Sequence, residues 1–162
     1  KGVLELLDHA PKPELALETW FDTLSLPENA LDNIINGDFQ AGSSSAIVKM
    51  VKSSNLTPLP ILCTTRKENT VFGFYNGSWR EQTPSDFSRV LDIFGRKLMI
   101  AFKQWQDEMG DDIYSERGSR LYHAGVQKVM GGMSASESTR SRIRAMVYRG
   151  LKVDLKSNME ST

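Results

Sequence analysis

Apolar positions along this chain recur at three- and four-residue intervals over most of its length, and give way to short β-prone runs only between residues 59 and 82. The first forty residues read as short helices set apart by prolines. Pro13 suits a first helical turn, followed by Leu15, Leu17, Trp20, Phe21 and Leu24, and Pro27 does the same for Leu31, Ile34 and Ile35. Asn36-Gly37 should close that second helix through a left-handed glycine cap. A third helix is expected from serine caps near Ser43, with Ile47, Val48, Met50 and Val51 on one side. Pro58 and Pro60 end it, because two prolines in three residues exclude helix.

The stretch LPILCTTRKENTVFGFYNGSWREQ changes period. Ile61–Thr65 and Val71–Tyr75 are rich in strand formers, and the polar Arg66–Asn69 segment between them is turn-like. Asn76-Gly77 is the preferred pair for a two-residue type I′ turn, in which both positions take positive φ, and Ser78-Trp79-Arg80 returns as a third strand. Trp79 and one face of the middle strand need a hydrophobic cover. The next segment is expected to supply it: Thr83-Pro84-Ser85-Asp86 has a cap residue, a proline at the first helical position and an acid two further on. Phe87, Leu91, Phe94, Leu98, Ala101 and Trp105 then follow helical spacing to about Asp107. A further helix is predicted from Gly110 to the paired glycines 131 and 132, and a last one from a capping box at Ser134 and Glu137 to Gly150. Val153–Lys156 can add a short strand.

The pattern therefore predicts an α+β fold, predominantly α, in which a three-stranded antiparallel β-meander packs on a long amphipathic helix. We divide the chain into an acidic helical segment at 1–56, a core of meander and helices at 57–156 and a disordered tail at 157–162.

Composition adds a charge asymmetry. Residues 1–40 hold two basic and eight acidic side chains, whereas residues 113–156 hold nine basic and three acidic, although the whole chain is neutral. Such polarity marks either a nucleic-acid footprint at the basic end or self-association between acidic and basic ends. One cysteine cannot form an internal bridge, which fits a reducing, intracellular compartment. No stretch approaches the roughly 20 apolar residues of a membrane span, so no membrane partner is expected. Lys1 stands where a methionine would open a complete chain, so the sequence reads as an excised fragment.

Candidate chemistry is sparse. Cys63 sits among apolar neighbours, remote in sequence from His9 and His123, and reads as a buried packing residue. Two histidines and one cysteine do not make a typical zinc centre, and Asp107, Glu108, Asp111 and Asp112 lack the calcium-loop pattern. No cofactor is expected. Asp154-Leu155-Lys156 has the Asp-x-Lys form of many nuclease cores, which keeps a metal-dependent nuclease as an alternative.

The basic helix is the foremost candidate. Arg140, Arg142, Arg144 and Arg149 lie within ten residues, with Arg140 and Arg144 one turn apart on one face and Ile143, Met146 and Val147 facing elsewhere. This predicts an arginine-rich outer surface suited to phosphates, which Lys128, Arg117 and Arg120 would extend; a solubilising charged face is the competing reading.

Residues 55–156 resemble a domain found in proteins of giant nucleocytoplasmic DNA viruses. Members of that group show Pro-Ile-x-Cys-Thr-Asp, an aromatic strand, Trp-x-x-Asp and a later Met-Gly-Gly; residues 60–64, 79 and 130–132 match. Thr65 stands in place of the usual aspartate and Gln82 where a second acid is common, which argues against an ionic role at Thr65. The resemblance implies a module of a larger viral protein, near DNA-binding segments and located in the host cytoplasm or nucleus. The function expected is a non-enzymatic interaction module that binds DNA, RNA or a protein partner. A structural, oligomerising module is the alternative, and a nuclease the second alternative.

Overall fold

The computed structural model describes residues 2–155, so the expected tail at 157–162 lies outside the described residues. The fold is α+β and mostly α. Four helices precede the sheet: α1 (Val3–Asp8), α2 (Leu17–Thr23), α3 (Ala30–Ile35) and α4 (Phe39–Ser53). The meander follows in the order β1 (Ile61–Cys63), β2 (Val71–Tyr75) and β3 (Ser78–Glu81), antiparallel throughout. Next comes α5 (Pro84–Met109), then a 3-10 stretch (Gly110–Tyr114) and α6 (Glu116–Gly125). A π-helical turn (Val126–Met130) leads into α7 (Gly131–Met133), and α8 (Glu137–Leu151) closes the set.

The turn chemistry explains the meander. Asn76 and Gly77 both have positive φ, at 49° and 84°, as a type I′ hairpin requires. Alternation along β2 then assigns two faces. Val71, Gly73 and Tyr75 point one way, and Phe72 and Phe74 the other, with Trp79 directly opposite Phe74. On the first face Tyr75 joins the main core, to which α5 contributes Phe87, Val90, Phe94 and Leu98. Its ring folds back over Gly73, where an added Cβ would lie 2.4 Å from Tyr75 Cε2 and 3.0 Å from Leu17 Cδ1.

Trp79 is not covered by α5. It packs edge-on to Phe74, ring centroids 5.8 Å apart, in a second cluster with Phe72, Val3, Leu7 and Leu155. The cover on that face is α1, an element the proline-based reading of the first forty residues missed. Six residues are too few to display a helical period, yet Val3 and Leu7 stand four apart and both are buried. A third, smaller cluster joins Cys63 and Val71 to Tyr148 of α8.

The main core draws on both ends of the chain. Leu17, Trp20, Phe21, Ile34, Ile47 and Met50 interlock with the α5 residues and with Val129, Ile143 and Val147. α4 and α8 approach closely at Gly150, whose missing side chain admits Val48; a Cβ there would lie 2.6 Å from Val48 Cγ2.

Several boundaries differ from the expectations. α4 starts at Phe39 because Asp38 Oδ2 accepts from Ala41 N at 3.1 Å, a better cap than the serines; Ser43 lies inside the helix and bonds back to Phe39 O. Asn36 is the C-cap of α3, and Gly37 has no positive φ. The helix before the paired glycines continues through them, since Gly131 keeps helical angles and Gly132 sits against the Phe39 ring. α8 is capped by Ser136, whose hydroxyl accepts from Thr139 N, and not by Ser134. Beyond α8, Val153 pairs in parallel with Thr64: Val153 N donates to Cys63 O at 2.9 Å and Thr65 N to Val153 O at 3.0 Å. Lys156, the last residue of the short strand expected there, lies outside the described residues.

Candidate anion-binding cleft

α5 and α8 bring their N-terminal turns together. Thr83 caps α5 with a complete capping box: Asp86 N donates to Thr83 Oγ1 at 3.1 Å and Thr83 N to Asp86 Oδ2 at 2.7 Å. Between that turn and the first half of α8 lies an open cleft of about 820 Å³. Ser85 and Ser88 line it from α5, and Glu137, Ser138, Arg140, Ser141 and Arg144 from α8. Arg140 Nη1 donates to Ser88 Oγ at 3.1 Å, which ties the guanidinium to the α5 wall.

The helical stripe explains this placement. Arg140, Ile143, Arg144, Val147 and Leu151 follow three- and four-residue spacing on α8. Ile143 and Val147 are buried, whereas Arg140 and Arg144 are half-buried. These two arginines therefore continue the inward stripe of α8 to where the core opens into the cleft. The expected outer surface is corrected accordingly: Arg142 and Arg149 face solvent on the opposite side, and the four arginines form no single face. Among the described residues none of the four is paired with a carboxylate, whereas Lys67, Arg80 and Arg89 are.

Lys128 is elsewhere. Its Nζ donates to Ile35 O at 2.8 Å and Gly37 O at 2.9 Å, satisfying carbonyls at the C-terminal end of α3. It thus does the work expected of the glycine cap. Arg117 lines a different recess, with Trp105, Met109 and Asp112.

The electrostatics of the cleft are framed by Asp86. Its carboxylate pairs with Arg80 and Arg89, and the Arg80 hydrogen bonds above all hold it well below the usual carboxylate range. Arg80 also lies 4.0 Å from the Tyr75 ring centroid, and Glu18 of the acidic segment pairs with Arg89 at 3.2 Å. At the start of α5 the capping box occupies Asp86 N, Phe87 N bonds to Thr83 O and Pro84 has no N–H, so this terminus offers few free backbone donors. A helix N-terminus carries partial positive charge, which Asp86 offsets in the first turn of α5 and Glu137 in that of α8. Four serine hydroxyls and two guanidiniums, with the Glu137 carboxylate among them, are the polar groups that line the cleft.

Sequence reading found the two arginines but not Ser85 and Ser88. The Thr83–Asp86 cap signal placed them at a helix start, yet nothing local marks which other helix start they will face. Cys63 is buried, and desolvation pushes its thiol up to about 12, which excludes an activated thiolate there. Among the described residues no three His, Cys, Asp or Glu side chains gather where they could hold a metal ion, and no helix is long and apolar enough to cross a membrane.

Fold and cleft define a small α+β, mainly helical domain with a positively lined recess. No protein-family model matches the chain, and neither a curated protein nor a solved structure matches it.

Proposed function

We propose that this domain is a non-enzymatic binding module that holds the phosphates of a nucleic acid in the cleft between α5 and α8. The observation that carries the reading is the pair Arg140 and Arg144, held on one wall of that cleft without a carboxylate partner and facing serine hydroxyls at the N-terminus of α5. Guanidinium groups favour phosphate because their planar fork can donate two parallel hydrogen bonds. Arg142 and Arg149, on the outer face, would add only screened, longer-range attraction. The resemblance to the giant-virus domain supports a place beside DNA-binding segments of a larger viral protein.

A salt titration of binding to duplex DNA and to single-stranded RNA tests the reading. Two phosphate contacts should give a slope of about −2 for duplex DNA in log affinity against log salt. Changing Arg140 and Arg144 together to glutamine should abolish most binding and flatten the slope, and changing Arg142 and Arg149 should do much less. Absence of salt-dependent binding, or equal loss from the two double variants, refutes the assignment.

A further inference from the structure

Among the described residues, Glu137 is the one acid in the lining of the α5–α8 cleft. It is the first residue of α8 after the Ser136 cap, is exposed, and shares the cleft with Arg140 and Arg144. Arg140 follows it by three residues, a spacing that leaves about 5–6 Å between Cβ atoms and lets opposite charges meet. The two do not pair. Arg140 Nη1 donates instead to Ser88 Oγ on α5, at 3.1 Å, and among the described residues Glu137 has no ion-pair partner.

An unpaired carboxylate limits what such a cleft can hold. It accepts hydrogen bonds and donates none, so towards phosphate oxygens alone it offers only repulsion. A DNA backbone brings phosphates and sugar ring oxygens, all of them acceptors. An RNA backbone adds a 2′-hydroxyl, which can donate, on the sugar carbon next to the one that carries the 3′-phosphate. A phosphate held by Arg140 and Arg144 therefore places a donor close to an acid one helical turn away. Donors on base edges stand farther off, beyond the glycosidic bond. Glu137 also complements the α8 N-terminus; that role accounts for an acid in the first turn and predicts no difference between RNA and DNA.

Resting on the reading of the cleft as a phosphate site, we propose that its ligand is single-stranded RNA, with Glu137 accepting a hydrogen bond from a ribose 2′-hydroxyl beside the phosphate that Arg140 and Arg144 hold. The volume of about 820 Å³ falls among small-molecule sites, a size that suits part of one strand rather than a duplex. Glu137 is then the residue that separates RNA from DNA. It adds a hydrogen bond to the first, and to the second only like charge.

Fluorescence anisotropy can compare octauridylate with its 2′-deoxy counterpart and with its 2′-fluoro counterpart, which keeps the RNA-like sugar pucker and lacks the donor. The unsubstituted protein should bind octauridylate about 3–10-fold more tightly than either analogue. In Glu137→Ala the three strands should bind alike, with both analogues gaining affinity as the repulsion is removed. Glu137→Gln keeps an acceptor oxygen without the charge and should retain part of the preference. The Ser136 cap is untouched in both variants, so α8 should persist, as circular dichroism would check. Suppose the unsubstituted protein binds the three strands equally, or the preference survives in Glu137→Ala, while changing Arg140 and Arg144 to glutamine still abolishes binding. The RNA assignment is then overturned and the phosphate reading stands. Absence of binding to every strand, or binding indifferent to the double arginine change, overturns both.

Discussion

At the scale of single residues, Cys63 shows how burial decides chemistry. Its neighbours in β1 and the facing Val71 and Tyr148 exclude water, and the thiol is pushed from an ordinary 9.0 up to about 12. A group whose folded pKa is raised holds its proton in the native state while the unfolded chain ionises. Its contribution to stability is therefore complete below about pH 9 and is lost as pH rises toward 12. Tyr75, raised from 10.0 to about 12 mainly by burial, acts in the same direction from about pH 10. Unfolding free energy should thus decline from about pH 9 upward, and in Cys63→Ala the decline should begin nearer pH 10. Chemical denaturation across pH 7–11 measures this. An aromatic disulfide reagent should label Cys63 only at the rate of opening; immediate labelling of the native protein would contradict the burial argument. The role of Cys63 as packing material was legible from its apolar neighbours. The placement of Trp79 was not, because alternation states that Phe74 and Trp79 share a face without saying what lies across from it.

Individual elements are set by their ends, and α5 is the clearest case. Thr83, Pro84 and Asp86 were readable as a helix start because capping depends on adjacent residues alone. The guanidiniums of Arg80 and Arg89 that complete the cap come from β3 and from one turn further along α5. Asp86 is 2% exposed while Arg80 and Arg89 remain nearly half-exposed, so solvent screens the pairs and the backbone cap carries much of their effect. Asp86→Asn should destabilise the fold by about 2 kcal/mol at pH 7, combining a lost charged cap and weakened ion pairs. The sign with pH is opposite to that of Cys63. A carboxylate depressed in the folded state contributes fully above its unfolded pKa of about 4 and loses that contribution as pH falls below it. The gap between the two proteins should therefore narrow on acidification below pH 4, as thermal melts would show; a constant gap would assign the cost to packing. α8 carries the complementary lesson. Counting Arg140 and Arg144 with Ile143, Val147 and Leu151 would have revealed that they extend the buried stripe, whereas charge alone suggested an outer face. Lys128 offered no such signal, because its carbonyl partners stand more than ninety residues away.

For the molecule as a whole, the sheet separates two hydrophobic bodies. Its Tyr75 face closes the main core built from α2, α3, α4, α5 and α8, and its Phe74 face is covered by α1 and Leu155. The main core unites helices from both ends of the chain, so its loss should be global. The outer cluster depends on the six-residue α1, which a helix of that length cannot sustain without packing. Leu7, 6% exposed within that cluster, provides the test. Truncating a buried leucine costs about 2–5 kcal/mol, and here the lost contacts belong to α1, Trp79 and Leu155 rather than to α5. Leu7→Ala should speed amide hydrogen exchange in α1 and along β3 while the slowest amides of α4, α5 and α8 change little, because α1 can detach without opening the main core. Phe94→Ala, which removes a ring from the centre of the main core, should instead accelerate exchange throughout. If Leu7→Ala accelerated the α4 and α5 amides as much as those of β3, the two bodies would be one cooperative unit, and the sheet would transmit the loss rather than divide it.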